Sequence, residues 1–232
     1  MVFSFILKTK NLGEANYLFI LKYADSGTLG EYLRKNTATF RWEDQLKFAN
    51  DIASAVLCLH SHQIIHGDLH PDNVLIHQHS IKIADFRCSC LHGSAINKKE
   101  KVYGVIPYMD PKILKDQSCD LTKKSDIYSL GVLFWELTSC KSPFNFETKN
   151  NAPFEIIKIK SNILEGMREK PSSGINHKFI ALYEITSENF SSKEIETTEK
   201  SETSKTLEIS ETPENDEVNV PSYDCDINKY EL

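Results

Sequence analysis

Apolar residues recur at helical spacing along two long segments of the 232-residue chain. In residues 42–60 they fall three or four positions apart, which predicts a helix with one buried face. That face comprises Leu46, Ala49, Ile52, Ala53, Val56 and Leu59. Residues 127–137 are mostly apolar or aromatic and carry no charge before Glu136, so we predict a helix at the centre of a domain. Further helices are predicted over 153–166 and 177–184.

Shorter apolar runs predict a few strands. Residues 17–21 have the pattern of a buried strand, and the glycines that follow predict a turn and then a short helix. Residues 74–84 place two apolar runs around the polar turn 77–80, which predicts a hairpin that pairs Val74 with Ile83. These patterns predict an α+β fold, mainly helical, with a few strands near its start.

The chain changes character near residue 184. Residues 184–232 carry a net charge of −10, whereas residues 1–183 carry +4. Twelve of the 28 residues in 185–212 are Ser or Thr, and Phe190 is the one aromatic residue there. Such a composition buries too little apolar surface to offset the entropy of ordering. We therefore predict a globular domain over 1–184 and a disordered acidic tail over 185–232.

Composition argues against several classes of protein. No apolar run approaches the roughly 18 residues of a membrane helix, and the first residues lack the basic start of a secretory signal. The body has no dense stripe of Lys and Arg with interleaved aromatics, so we expect no nucleic-acid partner and no membrane partner. The six cysteines show no CxxC motif, which favours a reducing, cytoplasmic setting over a disulfide or zinc scaffold.

The segment from His66 to Phe86 contains the residues with the clearest chemistry. The predicted hairpin brings Asn73 and Asp85 together at its open end, where an amide oxygen and a carboxylate suit Mg²⁺. Mg²⁺ usually takes one or two protein ligands and completes its shell with phosphate and water. Asp68 precedes Asn73 by five residues on the loop that enters the same end. An acid beside a pair of metal ligands is typical of phosphoryl transfer.

These residues resemble motifs of the protein kinase superfamily. HGDLHPDN (66–73) is similar to the catalytic loop H-R-D-L-x-x-x-N, and ADF (84–86) is similar to the start of D-F-G. Three further segments match in the family's order: LKYADSGTLGEYL at the hinge, GVIPYMDP at the end of the activation segment, and KKSDIYSLGVLFWEL at the central helix. His70 resembles the tyrosine-kinase-like branch of Ser/Thr kinases more than other branches. The resemblance covers about residues 12–183.

The resemblance implies a kinase fold with a mainly helical large lobe, ATP and Mg²⁺ as cofactors, and a protein as substrate or partner. Asp68 would be the catalytic base that orients the substrate hydroxyl, and Asn73 and Asp85 would hold Mg²⁺ on the phosphates. Asp126, at the start of the central helix, would brace the catalytic loop. The residues that would surround the adenine are the gatekeeper Leu21, the hinge backbones of Lys22 and Ala24, and the floor residue Leu75.

The match to the family is incomplete at both ends of the chain. No Gly-rich loop G-x-G-x-x-G and no strand-three Lys precede the hinge, and the family's last helix has no counterpart after residue 183. We therefore expect residues 1–184 to retain a remnant of the small-lobe sheet, without its first strands, the Gly-rich loop and the αC helix. Because those parts cover the nucleotide and orient its phosphates, we expect ATP and Mg²⁺ to bind weakly or not at all.

Three substitutions fall within the matched motifs. Gly67 replaces the Arg of H-R-D, the usual partner of a phosphorylated activation loop, and Lys112 replaces the Glu of A-P-E. Arg87 replaces the Gly of D-F-G and adds a cation beside the predicted metal site. Arg87 would either help to neutralise phosphate or hinder the active geometry, and the sequence leaves both alternatives open.

Two functions from different classes follow. The first is an ATP-dependent protein kinase, acting on Ser/Thr or with dual specificity, whose activity is impaired in this chain. The alternative is a non-catalytic pseudokinase scaffold that acts in signalling through protein–protein interaction. The intact Asp68, Asn73 and Asp85 favour the enzyme, whereas the absent strand-three Lys favours the scaffold.

Overall fold

The structure is a computed structural model that describes residues 4–11, 14–21, 23–93, 104–146, 152–172, 174–177, 179–181 and 183, with the backbone alone over 4–21. All of these residues lie in Met1–Ser191, the larger of the two units into which the chain divides. The helices are α1 (Leu29–Asn36), α2 (Trp42–Ser61), α3 (Pro111–Lys115), α4 (Lys123–Ser139) and α5 (Pro153–Leu164). The strands are β1 (Ser4–Asn11), β2 (Glu14–Leu21), β3 (Ile64–Ile65), β4 (Val74–His77), β5 (Ser80–Ile83) and β6 (Cys90–Leu91).

The described strands form three antiparallel pairs: β1 with β2, β3 with β6, and β4 with β5. Ser4 lies opposite Leu21, so the strand predicted over 17–21 is confirmed and extends back to Glu14. Val74 lies opposite Ile83, so the register predicted for the second hairpin is confirmed. Side chains along β4 and β5 alternate between buried and half-buried, because successive residues of a strand point to opposite faces.

Helix α4 lies at the centre of the main hydrophobic core. It begins with a capping box, in which Thr122 and Ser125 satisfy each other's backbone N–H groups. Of its 17 residues, 12 are buried. Five of these share one core cluster with residues of α1, α2 and the β4–β5 hairpin, namely Leu130, Leu133, Phe134, Trp135 and Leu137. The prediction of a helix at the centre of the domain is therefore confirmed. This is the mainly helical α+β architecture that the sequence predicts.

Helix α2 differs from the prediction in one detail. Leu46, which we predicted to be buried, is 48% exposed, whereas Phe48 is fully buried. Phe48 faces inward because its ring packs against those of Tyr32 and Phe40, with centroids 5.6 and 5.5 Å away. The buried residues of the helix are Phe48, Ala49, Ile52, Val56 and Cys58.

The segment after β2 runs alongside β4. The Ser26 N–H donates to the Ile76 carbonyl at 3.1 Å, and the Ile76 N–H donates to the Gly27 carbonyl at 3.0 Å. Thr28 then caps α1, because its hydroxyl accepts from the Glu31 N–H at 3.2 Å. The predicted turn and short helix are confirmed. Their contacts fix the hinge segment against the hairpin that carries the candidate site.

The remaining predicted elements lie towards the end of the described residues. Helix α5 begins at the predicted residue and ends at Leu164, two residues earlier than predicted. Residues 177, 179–181 and 183 are helical, as predicted for that segment. No described helix combines the length and apolarity that crossing a bilayer requires. The tail predicted over 185–232 lies outside the described residues.

Candidate active site

Asp126, in the first turn of α4, holds the start of the catalytic loop (residues 66–73). Its Oδ2 accepts from the His66 backbone N–H and its Oδ1 from the Gly67 backbone N–H, each at 2.9 Å. The Asp126 side chain is 1% exposed, so these charge-assisted bonds form away from water and are stronger there. The predicted contact between Asp126 and the catalytic loop is confirmed.

His60, at the end of α2, is a third partner of Asp126. Its Nε2 lies 2.8 Å from Oδ2 of the carboxylate, and its side chain is 11% exposed. The three contacts connect α2, the catalytic loop and α4 through one carboxylate. We did not predict the His60 contact, although a His at the end of an amphipathic helix, just before the loop, was a signal in the sequence.

His66 links the catalytic loop to the backbone beyond β5. Its Nε2 lies 3.0 Å from the Ala84 carbonyl, and its Nδ1 lies 3.3 Å from the Asp68 backbone nitrogen. Because a carbonyl only accepts, we assign the proton to Nε2, and Nδ1 then accepts from the Asp68 N–H. Burial lowers the pKa of His66, which favours this neutral form. The ring thereby fixes the backbone of Asp68.

Asp68 and Asn73 come together as the sequence predicts. The Asn73 Nδ2 donates to the Asp68 carbonyl at 2.8 Å and lies 3.4 Å from Oδ2 of the Asp68 carboxylate. Asn73 ends the 3₁₀ turn Pro71–Asn73 and is 7% exposed, whereas the Asp68 side chain is 17% exposed. The Asn73 amide nitrogen is thus committed to the loop, and its amide oxygen is the acceptor that remains.

Asp85 lies beside Asn73 at the open end of the hairpin. The Ala84 N–H donates to the Asn73 carbonyl at 2.9 Å, which continues the β4–β5 pairing to the residue before Asp85. Asp85 itself has a left-handed backbone, with φ 63° and ψ 74°. The predicted hairpin register thus places Asn73 next to Ala84, the residue that precedes Asp85. Their role as metal ligands stays a prediction.

Arg87 binds the Asp85 carboxylate with two nitrogens. Its Nε lies 2.8 Å from Oδ1 and its Nη2 lies 2.6 Å from Oδ2. The two hydrogen bonds hold the pKa of Asp85 below its usual range, because they stabilise the charged carboxylate. The carboxylate that we expect to face a metal ion is thus paired with a side chain of its own chain.

The backbone conformation of Gly67 and its close neighbours both favour glycine, which the sequence alone did not show. Its φ is +79°, a conformation that favours glycine. An added Cβ would lie 2.8 Å from Cδ1 of Leu121 and 2.9 Å from the Cys88 carbonyl oxygen. At the position where the family has the Arg of H-R-D, neighbouring segments therefore pack closely against the backbone of Gly67.

The segment 104–111 is anchored on α4 next to the catalytic loop. Tyr108 donates its phenolic O–H to Glu136, and the Tyr108 carbonyl accepts from the Ser129 hydroxyl at 2.7 Å. Both side chains of the Tyr108–Glu136 pair are buried, and burial raises the pKa of Glu136 to about 7. We did not predict this pair, although Glu136 is the one charge after Asp126 in an otherwise uncharged stretch of α4.

The residues predicted to surround the adenine are described only in part. Leu21 ends β2, but its side chain and the whole of Lys22 lie outside the described residues. Ala24 is half-buried at the start of the hinge turn. Leu75 is half-buried on β4, between the buried Val74 and Ile76, and its backbone pairs with that of Thr28. Their roles in nucleotide binding stay predictions.

Comparison with known proteins shows similarity to kinases along most of the chain. A family model described as "Protein tyrosine and serine/threonine kinase" matches residues 6–194. The serine/threonine/tyrosine-protein kinase HT1 of Arabidopsis thaliana is 34% identical over 142 residues, which are 60% of this chain and 36% of that protein. The serine/threonine-protein kinase PrkC of Bacillus subtilis is 33% identical over 147 residues, 62% of this chain and 22% of that protein.

A third relative matches more of the chain. The putative mitogen-activated protein kinase kinase kinase 7-like protein of Drosophila melanogaster is 31% identical over 194 residues, 79% of this chain and 48% of that protein. The chain thus spans between about a fifth and a half of the length of these three curated relatives. Since the family model covers most of the sequence and the motifs lie where that family has them, this chain belongs to the protein kinase superfamily.

Proposed function

We propose that this domain transfers the terminal phosphate of ATP to a Ser or Thr hydroxyl of a protein, at a low rate. The observation that supports the proposal is the assembled catalytic loop, in which Asp126 holds the backbone and Asn73 and His66 fix Asp68. Catalysis by positioning requires that such groups be held before substrate arrives. As part of the same proposal, the protein acts in the cytoplasm on a protein substrate.

Asp68 is the group that would act on the substrate hydroxyl. Its carboxylate is accessible at 17% exposure, and among the described residues it contacts the Asn73 amide nitrogen at 3.4 Å and the His70 Nε2 at 3.7 Å. Neither contact is short enough to remove the carboxylate as an acceptor. Asp68 would therefore accept a hydrogen bond from the incoming hydroxyl, align its oxygen with the phosphate and take up its proton.

Asn73 and Asp85 would hold Mg²⁺. Both provide hard oxygen donors, and the hairpin brings the two residues to one end, so the donor set suits the ion. The Asn73 amide nitrogen is directed at Asp68, which leaves its oxygen as the donor for a cation. When bound, Mg²⁺ would neutralise charge on the phosphates. The Asp85 carboxylate that would hold the ion is paired with Arg87.

A transfer assay with the complete 232-residue chain tests the proposal. The chain is incubated with Mg²⁺, ATP labelled on its terminal phosphate and a protein mixture that offers Ser, Thr and Tyr. We expect slow labelling of Ser and Thr, and we expect Asp68→Asn to reduce it by about 100-fold or more, the usual contribution of an acid–base group. Phosphoamino-acid analysis of the product separates Ser/Thr transfer from dual specificity.

The matched control removes an exposed carboxylate by the same substitution elsewhere. Asp120→Asn changes an exposed residue outside the catalytic loop and should leave the transfer rate unchanged. Unfolding curves of both variants should match that of the wild type, which excludes misfolding as the cause of a lost activity. Transfer by the wild type that does not exceed that of Asp68→Asn would overturn the enzyme proposal.

A specific observation favours the second candidate, a non-catalytic scaffold. The Asp85 carboxylate is already paired with Arg87, so a residue expected to hold the metal is engaged within the chain. In that case the domain would act by binding a protein partner. The same assay distinguishes the candidates, because a scaffold gives equal background labelling for the wild type, Asp68→Asn and Asp120→Asn.

A further inference from the structure

The Arg87 guanidinium is held by Asp85 on one side only. Arg87 lies in the 3₁₀ turn Phe86–Cys88, which begins directly after Asp85 and brings the two side chains together. Among the described residues, the hydrogen bonds of the guanidinium all go to Asp85, one from Nε and one from Nη2. A guanidinium carries five N–H groups, so three remain available for another acceptor.

The remaining N–H groups face open space. The Arg87 side chain is 85% exposed, whereas the Asp85 side chain is 26% exposed. The pair therefore lies at the surface of the candidate site, with the carboxylate towards the protein and the cation outward. An outward guanidinium with free N–H groups suits phosphate oxygens, which it can bind through two parallel hydrogen bonds.

A divalent cation and Arg87 compete for the same carboxylate. Both Asp85 oxygens accept from Arg87, so a metal ion that binds Asp85 would share a carboxylate whose charge is already paired with the guanidinium. Two cations a few ångströms apart also repel each other. With Arg87 in place, the position next to Asp85 already carries the positive charge that a metal would supply to the phosphates.

We propose that Arg87 takes the place of the divalent cation at Asp85 and itself binds the phosphates of a nucleoside triphosphate, so that nucleotide binding does not require a metal. This inference rests on the proposed nucleotide site. The Arg87-paired state and the metal-bound state are alternatives at one carboxylate. In the first, the domain holds nucleotide without the ion that neutralises charge during transfer, which is consistent with the low rate proposed above.

Titration of the complete chain with ATP, in excess EDTA and in excess Mg²⁺, tests the inference by calorimetry. We expect the wild-type dissociation constant to differ by less than about twofold between the two conditions. Arg87→Gln keeps a long polar side chain but removes the charge, and we expect it to weaken ATP binding in EDTA by about tenfold or more, because charge-assisted hydrogen bonds to phosphate are lost. Mg²⁺ should strengthen binding to this variant, since Asp85 is then open to the ion.

Two further variants sharpen the comparison. Arg41→Gln removes another exposed Arg, just before α2, and should behave as the wild type in both conditions. Arg87→Lys keeps the charge without the planar fork and should give intermediate affinity in EDTA. Manganese(II) with ATP provides a separate readout, because its electron paramagnetic resonance signal broadens when the ion is bound by the protein. Broadening should be stronger with Arg87→Gln than with the wild type.

The outcomes separate this inference from the proposed function. ATP binding to the wild type that is lost in EDTA would overturn the inference and leave the transfer proposal standing. Equal affinity of the wild type and Arg87→Gln in EDTA would also overturn it, because Arg87 would then not contact phosphate. No ATP binding to any variant in either condition would overturn the inference and the proposed function together.

Discussion

Two aspartates next to the catalytic loop have different surroundings. Asp126 is 1% exposed and accepts from two backbone N–H groups that belong to the loop. Asp85 is 26% exposed, and its two oxygens accept from the side chain of Arg87, which is itself 85% exposed. The two carboxylates accept these bonds at similar distances, and Asp126 also contacts the His60 Nε2. They differ in burial and in whether the partner is fixed backbone or a flexible side chain.

The difference indicates which part of the site is permanent. Breaking the contacts of Asp126 would leave buried backbone N–H groups without acceptors. The free-energy cost is high, so these contacts persist as long as the domain is folded. Breaking the contacts of Asp85 exposes two groups that water solvates readily, so its partner can be exchanged. We infer that the catalytic loop held by Asp126 is rigid, whereas the cation paired with Asp85 can be exchanged.

The largest effect is expected from Asp126→Ala. The substitution removes the acceptor of the His66 and Gly67 N–H groups and the partner of His60. We expect the free energy of unfolding to fall by about 4 kcal/mol, as when one partner of a buried charged network is removed. Urea denaturation followed by circular dichroism measures it. Asp126→Asn should lose less, since one carbonyl oxygen still accepts.

The control for this prediction is Asp120→Ala, which removes an exposed carboxylate near the start of α4. Its free energy of unfolding should stay close to that of the wild type. Equal effects of the substitutions at 126 and 120 would contradict the idea that burial of Asp126 maintains the loop.

Sequence reasoning was accurate where a pattern determines its own geometry. The β4–β5 hairpin has two short apolar runs and a polar turn, and this pattern predicted its register correctly, including Val74 opposite Ile83. That register in turn predicted that Asn73 and Asp85 lie together. The mostly apolar stretch of α4 likewise predicted a central helix. In each case the information lies within a few residues along the chain.

Sequence reasoning failed where distant segments decide the result. Phe48 is buried and Leu46 exposed because Tyr32 and Phe40 pack on one side of α2. Spacing along a single helix does not show which neighbours cover it. The pairing of Tyr108 with Glu136 and of His60 with Asp126 also joins residues far apart in sequence. The pairing of Arg87 with the Asp85 carboxylate accompanies a left-handed backbone at Asp85, which the sequence pattern did not reveal.

The second prediction concerns the pH dependence of stability through Glu136. Burial raises its pKa from 4.5 to about 7, so the folded state binds this proton more tightly than the unfolded state does. The resulting stability is fully present below about pH 4.5, decreases as the pH rises, and is lost above about pH 7. Between these two pH values, the contribution of Glu136 to the free energy of unfolding changes by about 3 kcal/mol. Urea unfolding of the wild type and Glu136→Gln across this range measures it.

Glu136→Gln keeps an oxygen that accepts from Tyr108 but cannot ionise. We expect its stability relative to the wild type to rise between pH 4.5 and about 7, whatever constant offset the amide introduces. A difference between the two proteins that does not change with pH would contradict a buried, proton-binding Glu136. Other titrating groups contribute equally to both proteins and cancel in the comparison.

The third prediction separates backbone strain from crowding at Gly67. Gly67→Ala forces an alanine into φ +79° and places its Cβ within 3 Å of Leu121 and the Cys88 carbonyl. We expect a loss of about 2 kcal/mol in the free energy of unfolding. Gly93→Ala has the same kind of strain, φ +81°, but none of the described residues places an atom within 4 Å of its Cβ, so it should lose about half as much. Equal losses of free energy of unfolding at both positions would show that contacts of the added Cβ with Leu121 and Cys88 do not contribute.

The smallest effect on stability is expected from a substitution of Arg87, the partner of Asp85. Arg87→Gln removes both hydrogen bonds to Asp85, yet the guanidinium is 85% exposed and water replaces its contacts. We therefore expect the urea midpoint of Arg87→Gln to match that of the wild type within error, under the conditions in which Asp126→Ala shifts it strongly. A comparable shift for both variants would mean that the Arg87–Asp85 pair is a structural element of the fold. The cation at Asp85 would then not be exchangeable, and the contrast between the two aspartates would fail.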